Sequence, residues 1–214
     1  MKKLAHPAIE DGYRHHMDFY HPPLMPMPDV PIYPHYGAYL TKRKHDVHTG
    51  VDLYTSDGSK VYAVEKGEVV GIRPFTGAHA GCDFWNETWA IDIEGYTGTI
   101  CYGEITLDQL PKHLKIGSMV EKGQWIANVK RVLKEDKGKA TSMLHFALHA
   151  HGWKYLYKDQ DDPKKEPFYS LQLDPTMLLL QLKNKADIMM LEESVSTSIW
   201  KLKDEILQCQ LIKG

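Results

Sequence analysis

The run HTGVDLYTSDGSKVYAVEKGEVV, from His48 to Val70, constrains the fold more than any other stretch. Gly50, Gly58 and Gly67 cut it into short pieces. Between them lie alternating, β-branched segments that read as strand, tight turn, strand. The same grammar continues downstream. TWAIDIEG and GTICYGEI are joined through GYTG, and WIANVKRV and SMLHFALHAH are later strands. VEKG occurs twice, at Val64–Gly67 and Val120–Gly123, each time carrying a valine strand into a glycine turn. Residues 46–152 are therefore expected to form a mainly β, compact antiparallel sheet of the barrel-sandwich kind.

The flanks differ. Residues 1–45 form an arm in which HPPLMPMPDVPIYPHY holds six prolines in 16 residues. Proline fixes φ and removes a donor, so this piece is expected to be extended and to lie against the domain. Tyr20, Ile32, Tyr33 and Tyr36 are apolar enough to pack there. Residues 153–214 open with a polar surface loop, KYLYKDQDDPKKEPFYS. Asp174 and Pro175 then read as the N-cap and first position of a helix. A second helix is expected from about residue 186. Its stripe of Ile188, Leu191, Val195, Ile199, Leu202 and Ile206 packs on the chain's own core or makes a homodimer contact.

Composition excludes some classes. A net charge of −2 gives no electrostatic reason for nucleic acid or an anionic membrane surface. No stretch approaches the ~18–20 apolar residues of a membrane span. The N-terminus carries two lysines without an apolar run behind them, so no signal peptide is expected. Synthesis in the cytoplasm is the expectation, with any export by another route. Cys82, Cys101 and Cys209 are too few for a disulfide framework. Cys82 and Cys101 flank a hairpin that admits one bridge, but free buried thiols fit better.

Twelve histidines point toward metal chemistry. Along MLHFALHAH, side chains alternate faces. Leu144, Phe146 and Leu148 form a core face, whereas Met143, His145, Ala147, His149 and His151 share the other. Three imidazoles on one face line a groove, bind metal or stand in solvent. His48 and Asp52, four apart with Gly50 between them, can converge on one ion and need a third ligand from elsewhere. A second HxxxD pair, His79 and Asp83, lacks the strand–turn–strand that follows the first and reads as loop.

His48, Gly50, Asp52, Gly58, Val61, Ala63, Gly67 and Val69 together resemble the first motif of the lysostaphin-like (LytM-type) zinc peptidases, metallopeptidase family 23. LKIGSMVEKGQWIANV is similar to that family's G-x-x-V-x-x-G-x-x-I strand pair, and MLHFAL to its closing H-x-H-F-E strand. The resemblance covers residues 46–152. It implies a groove holding one zinc ion on His48, Asp52 and His145, and hydrolysis of peptide bonds in bacterial cell-wall peptidoglycan. Zinc there would polarise the scissile carbonyl and lower the pKa of water toward ~7.

Two departures fall at the family's catalytic positions. Met143 stands for the first histidine of the H-x-H strand, and Glu104 for the histidine after Y-G. One reading makes Glu104 the general base, with His149 or His151 as electrophile. A second makes the chain a catalytically degenerate zinc-binding module that binds peptide or glycan without cleaving it. A third shifts the register so that His149 and His151 become the H-x-H pair. In the arm, His15, His16, His21 and His35 are candidates for a fourth ligand in a latent state. GSMVEKGQWI is also similar to lipoyl and biotinyl carrier domains. Those need a lysine at a hairpin tip and leave His48, Asp52 and His145 unexplained.

Overall fold

Alternation of apolar residues drives strand formation in the middle of the chain, and the computed structural model assembles those strands into one antiparallel sheet. The structure describes residues 17–44, 47–108, 110–111, 113–135, 142–153 and 171–212. The strands are β1 (Val51–Tyr54), β2 (Lys60–Tyr62), β3 (Gly67–Thr76), β4 (Thr88–Glu94), β5 (Thr99–Thr106), β6 (Met119–Val120), β7 (Trp125–Val129), β8 (Met143–His149) and β9 (Gln172–Leu173). Their order is β1-β8-β5-β4-β3-β6, with β9 on β8 and β7 bridging β2 and β5. The fold is mainly β, with one long C-terminal helix, α1 (Thr176–Ile212).

One side of the sheet carries the main core. Val51, Leu53, Val69, Ile91, Ile93, Ile100, Tyr102, Leu144 and Phe146 meet there, all buried. At about 25 cal/mol per Å² of apolar surface, this side supplies most of the hydrophobic stabilisation. The opposite side carries a smaller apolar group of Ala90, Cys101 and Ala147 with Phe75 against it. That second side also carries His145.

The two VEKG turns lie against each other. Gly67 pairs with Val120, and the Gly123 amide donates to the Ala63 carbonyl. Lys66 Nζ and Glu121 Oε1 are 2.5 Å apart across the same contact. Only the second turn has its glycine at positive φ, Gly123 at 73°. Gly67 is needed for a different reason: a Cβ there would fall 2.6 Å from the Glu94 carbonyl oxygen.

The described part of the arm is packed between sheet and helix. Tyr20, Leu24 and Met27 are buried in the main core. The Tyr62 amide donates to Pro23 O and the His21 amide to Val64 O, extending the β2 edge. Lys185 of α1 donates to the Met17 and Tyr20 carbonyls at 2.6 and 2.8 Å. Ile32, Tyr33 and Tyr36, expected to pack, are instead exposed. Leu24 and Met27 fill the space instead.

Two further expectations change. The C-terminal region is a single helix rather than two, because no glycine or proline interrupts residues 176–212. Its start is as expected: Asp174 Oδ1 accepts from the Thr176 amide at 2.9 Å. Cys82 and Cys101 are free thiols, so the bridge is not formed. His15, His16, the KYLYKDQDDPKKEPFYS loop and the side chains of Leu202, Ile206 and Cys209 lie outside the described residues. Among the described residues, no helix is long and apolar enough to cross a membrane.

Candidate metal centre

The loop before β1 and the middle of β8 bring three ligand-type side chains together. Asp52 on β1 pairs with His145 on β8, so both side chains leave the sheet on one face. His48 comes from the loop before β1, two residues ahead of Gly50. Gly50 is required by closeness, since a Cβ would fall 2.6 Å from the Phe146 carbonyl oxygen and 2.7 Å from His145 Nε2.

The three donor atoms form a near-equilateral triangle. His48 Nε2 to His145 Nδ1 is 3.2 Å, His145 Nδ1 to Asp52 Oδ1 is 3.0 Å, and His48 Nε2 to Asp52 Oδ1 is 3.1 Å. Legs of ~2.0–2.1 Å to a tetrahedral ion imply donor-to-donor edges of ~3.3 Å. The residues therefore fit a metal ion, and this is the one such group among the described residues.

Surrounding groups aim these donors. His48 Nδ1 donates to the Ala38 carbonyl at 3.0 Å, which turns the Nε2 lone pair to the centre. The Asp52 amide donates to Gly37 O, so the 37–38 segment braces both ligands. Arg43 takes the outer Asp52 oxygen, Oδ2, at 2.5 Å. Burial alone would raise the Asp52 pKa, but hydrogen bonds from His145 and His48 override it and hold the carboxyl below its usual range. Burial lowers the His145 pKa against the opposing pull of Asp52, which favours the neutral, ligating imidazole.

Glu104 reaches the same face through a bulge. Trp89 pairs with Ile105 and Ile91 with Tyr102, so Ala90 alone faces both Gly103 and Glu104. Glu104 sits at φ 61°, a left-handed conformation unusual for a residue other than glycine. Thr88 and Thr76 hydroxyls donate to its Oε2 at 2.7 and 3.1 Å. Burial pushes its pKa up to about 7 against those two hydrogen bonds, and the Asp52 charge adds to the rise. Gly103 faces His145 across β5 and β8, and a Cβ on it would strike the Phe75 ring at 2.7 Å.

The remaining candidates lie elsewhere. His149 is four residues beyond His145 on β8, ~13 Å at the rise of a strand, too far to serve the same reacting carbonyl. It stacks on Trp153 with ring centroids 3.9 Å apart. Burial, then the Arg73 charge, lowers its pKa to about 3. His151 lies past the end of β8, exposed, bonded to the Tyr96 carbonyl and facing Glu94. Neither lies in the metal group, and His145, not His149 or His151, is the strand histidine that meets His48 and Asp52. His21 bonds Pro22 O and packs on Tyr62, and His35 accepts from the Gly37 amide. Neither joins the metal group. His79 donates to Thr88 O, away from Asp83.

Sequence reasoning missed Arg43, Thr76 and Thr88. Arg43 had a faint signal in the basic run TKRK, whereas the two threonines had none.

No family model and no curated protein matches the chain. Among solved structures, it is similar to lysostaphin from Staphylococcus simulans, at 17% identity over 77% of this chain and 55% of that one, TM-score 0.48. The chain thus spans about half the length of that relative. The lysostaphin catalytic domain alone gives 18% identity, 79% and 98% coverage and a TM-score of 0.45. A zinc containing peptidase from Vibrio cholerae gives 22% identity, 60% and 36% coverage and a TM-score of 0.41. Solved structures that this antiparallel β chain is similar to thus include lysostaphin and a zinc containing peptidase, and the chain itself carries a His48–Asp52–His145 group.

Proposed function

We propose that this chain is a lysostaphin-like zinc metalloendopeptidase acting on peptide bonds of bacterial cell-wall peptidoglycan. The single observation that carries the reading is the buried donor triangle of His48, Asp52 and His145, with edges of 3.0–3.2 Å. Zinc bound there would supply Lewis-acid polarisation of the scissile carbonyl and acidify water at the site.

The chain's own groups would do the rest. Glu104 Oε2 is held by Thr76 and Thr88, leaving Oε1 to take a proton from the attacking water. A pKa of about 7 suits a group that must accept that proton and return it to the leaving amine near neutrality. The two threonine hydroxyls fix the carboxyl's rotamer, so little ordering remains to be done at the moment of reaction. Phe75, whose ring lies 5.1 Å from the His145 ring, walls the groove and limits water around the ligands.

The second reading, a degenerate module that binds peptide or glycan without cleavage, is favoured by Met143. A thioether at that position neither moves protons nor donates to an oxyanion.

One experiment separates the two. Zinc-loaded protein is incubated with purified peptidoglycan, and new free amino groups are measured beside bound zinc. Release by wild type and its loss in Glu104→Ala, zinc retained, supports the enzyme. No release from either, with zinc bound, leaves the binding module.

A further inference from the structure

The helix α1 uses two different faces along its length. Leu179, Leu182 and Ala186 are buried against the domain. From Asp187 through Trp200 every residue is exposed except the half-buried Met189. Within that run, Ile188, Leu191, Val195 and Ile199 fall on one stripe, and each is about half exposed or more. At ~100° per residue, this stripe lies roughly 180° round the helix from the buried trio. It points away from the surface on which the helix is seated, so the domain cannot cover it.

The sequence of the stripe is close to self-complementary when reversed. Read outward from Thr197, Val195 and Ile199 stand two residues to either side. Ile188 and Ile206 stand nine to either side, by sequence. Charge follows the same symmetry. Glu192 stands five residues before Thr197 and Lys203 six after it, both exposed and on the same flank of the stripe. In an antiparallel helix pair with two-fold symmetry, equivalent flanks face each other. Glu192 of each copy therefore falls beside Lys203 of the other, giving two opposite-charge pairs about one dyad.

We propose that the distal half of α1 is a self-association surface. A second copy of this chain docks on it antiparallel about Thr197, Val195 of each copy against Ile199 of the other, and Glu192 beside Lys203.

The test uses the full chain. Sedimentation equilibrium is expected to give the mass of two chains, and Val195→Asp to weaken association by at least ~10-fold. The substituted side chain is exposed, so the domain stays folded, which circular dichroism checks. Orientation is read by disulfide trapping with Cys209→Ser in the background. A mixture of Val195→Cys and Ile199→Cys proteins is expected to cross-link 195 to 199 faster than either protein cross-links to itself. A single-chain mass at all concentrations overturns the proposal, whether water or a different protein covers the stripe. Faster self-linking of Val195→Cys also overturns it, since that is the mark of parallel pairing.

Discussion

Arg43 holds the outer oxygen of Asp52 at 2.5 Å, while the inner oxygen faces His48 and His145. The guanidinium is about one-third exposed, so its charge is screened and its main effect is on the carboxylate's orientation. Arg43→Met is expected to lower zinc affinity by roughly 10-fold or more, in the range usual for groups that orient ligands. Competition with a chromophoric chelator measures it. Unchanged affinity would show that Asp52 needs no outside brace.

Glu104 makes stability depend on pH in a defined direction. Its folded pKa, about 7, lies above the ordinary 4.5. The stability it contributes is complete below pH ~4.5 and is lost as pH rises through ~7. That loss is on the order of 3 kcal/mol at 1.36 kcal/mol per unit. Glu104→Gln removes it. In metal-free protein, urea unfolding is expected to show the variant gaining on wild type between pH 5 and pH 8. An equal difference at both values would mean that the carboxyl is not buried in solution.

Gly50 is pressed between the Phe146 carbonyl and the His145 ring. Gly50→Ala puts a methyl 2.6 Å from that oxygen, where neither backbone nor ring can yield cheaply. The loop must move, carrying His48 with it. The expected result is ~1–3 kcal/mol of destabilisation together with loss of bound metal, read by calorimetry and elemental analysis. A variant that keeps both would show that the loop has slack.

Zinc is expected to stabilise the fold. At a free concentration 100 times Kd, binding adds about 2.7 kcal/mol, which raises Tm by roughly 5–10 °C in a domain of this size. Asp52→Asn should abolish the shift, because it replaces the anionic oxygen at one corner of the triangle. A shift that survives in Asp52→Asn would locate the ion elsewhere.

The candidate metal group was legible because β8 obeys a period of two. Alternation assigned Leu144 and Phe146 to the core and His145 to the other face, and the structure keeps that division. Alternation could not say what covers each position, so His149 was grouped with His145 although Trp153 returns to stack on it. Glu104 is the opposite case. Its residue type was informative, but its arrival on the groove face depends on a bulge opposite Ala90, and no local sequence rule announces one. For α1, a second helix is expected from about residue 186, where the apolar face changes. The backbone runs on because Asn184 and Lys185 are ordinary helix residues, and only the partner surface changes. In the arm, proline content did not tell which apolar side chains face inward.

The lysine at position 185 ties the long helix to the Met17 and Tyr20 carbonyls, so the arm and the first turns of the helix are moored at one knot. Trimming the chain to begin at the ligand loop would therefore do more than shorten it. It would cast the helix loose and strip the guanidinium from the aspartate, so a fragment that keeps both contacts must start no later than residue 17.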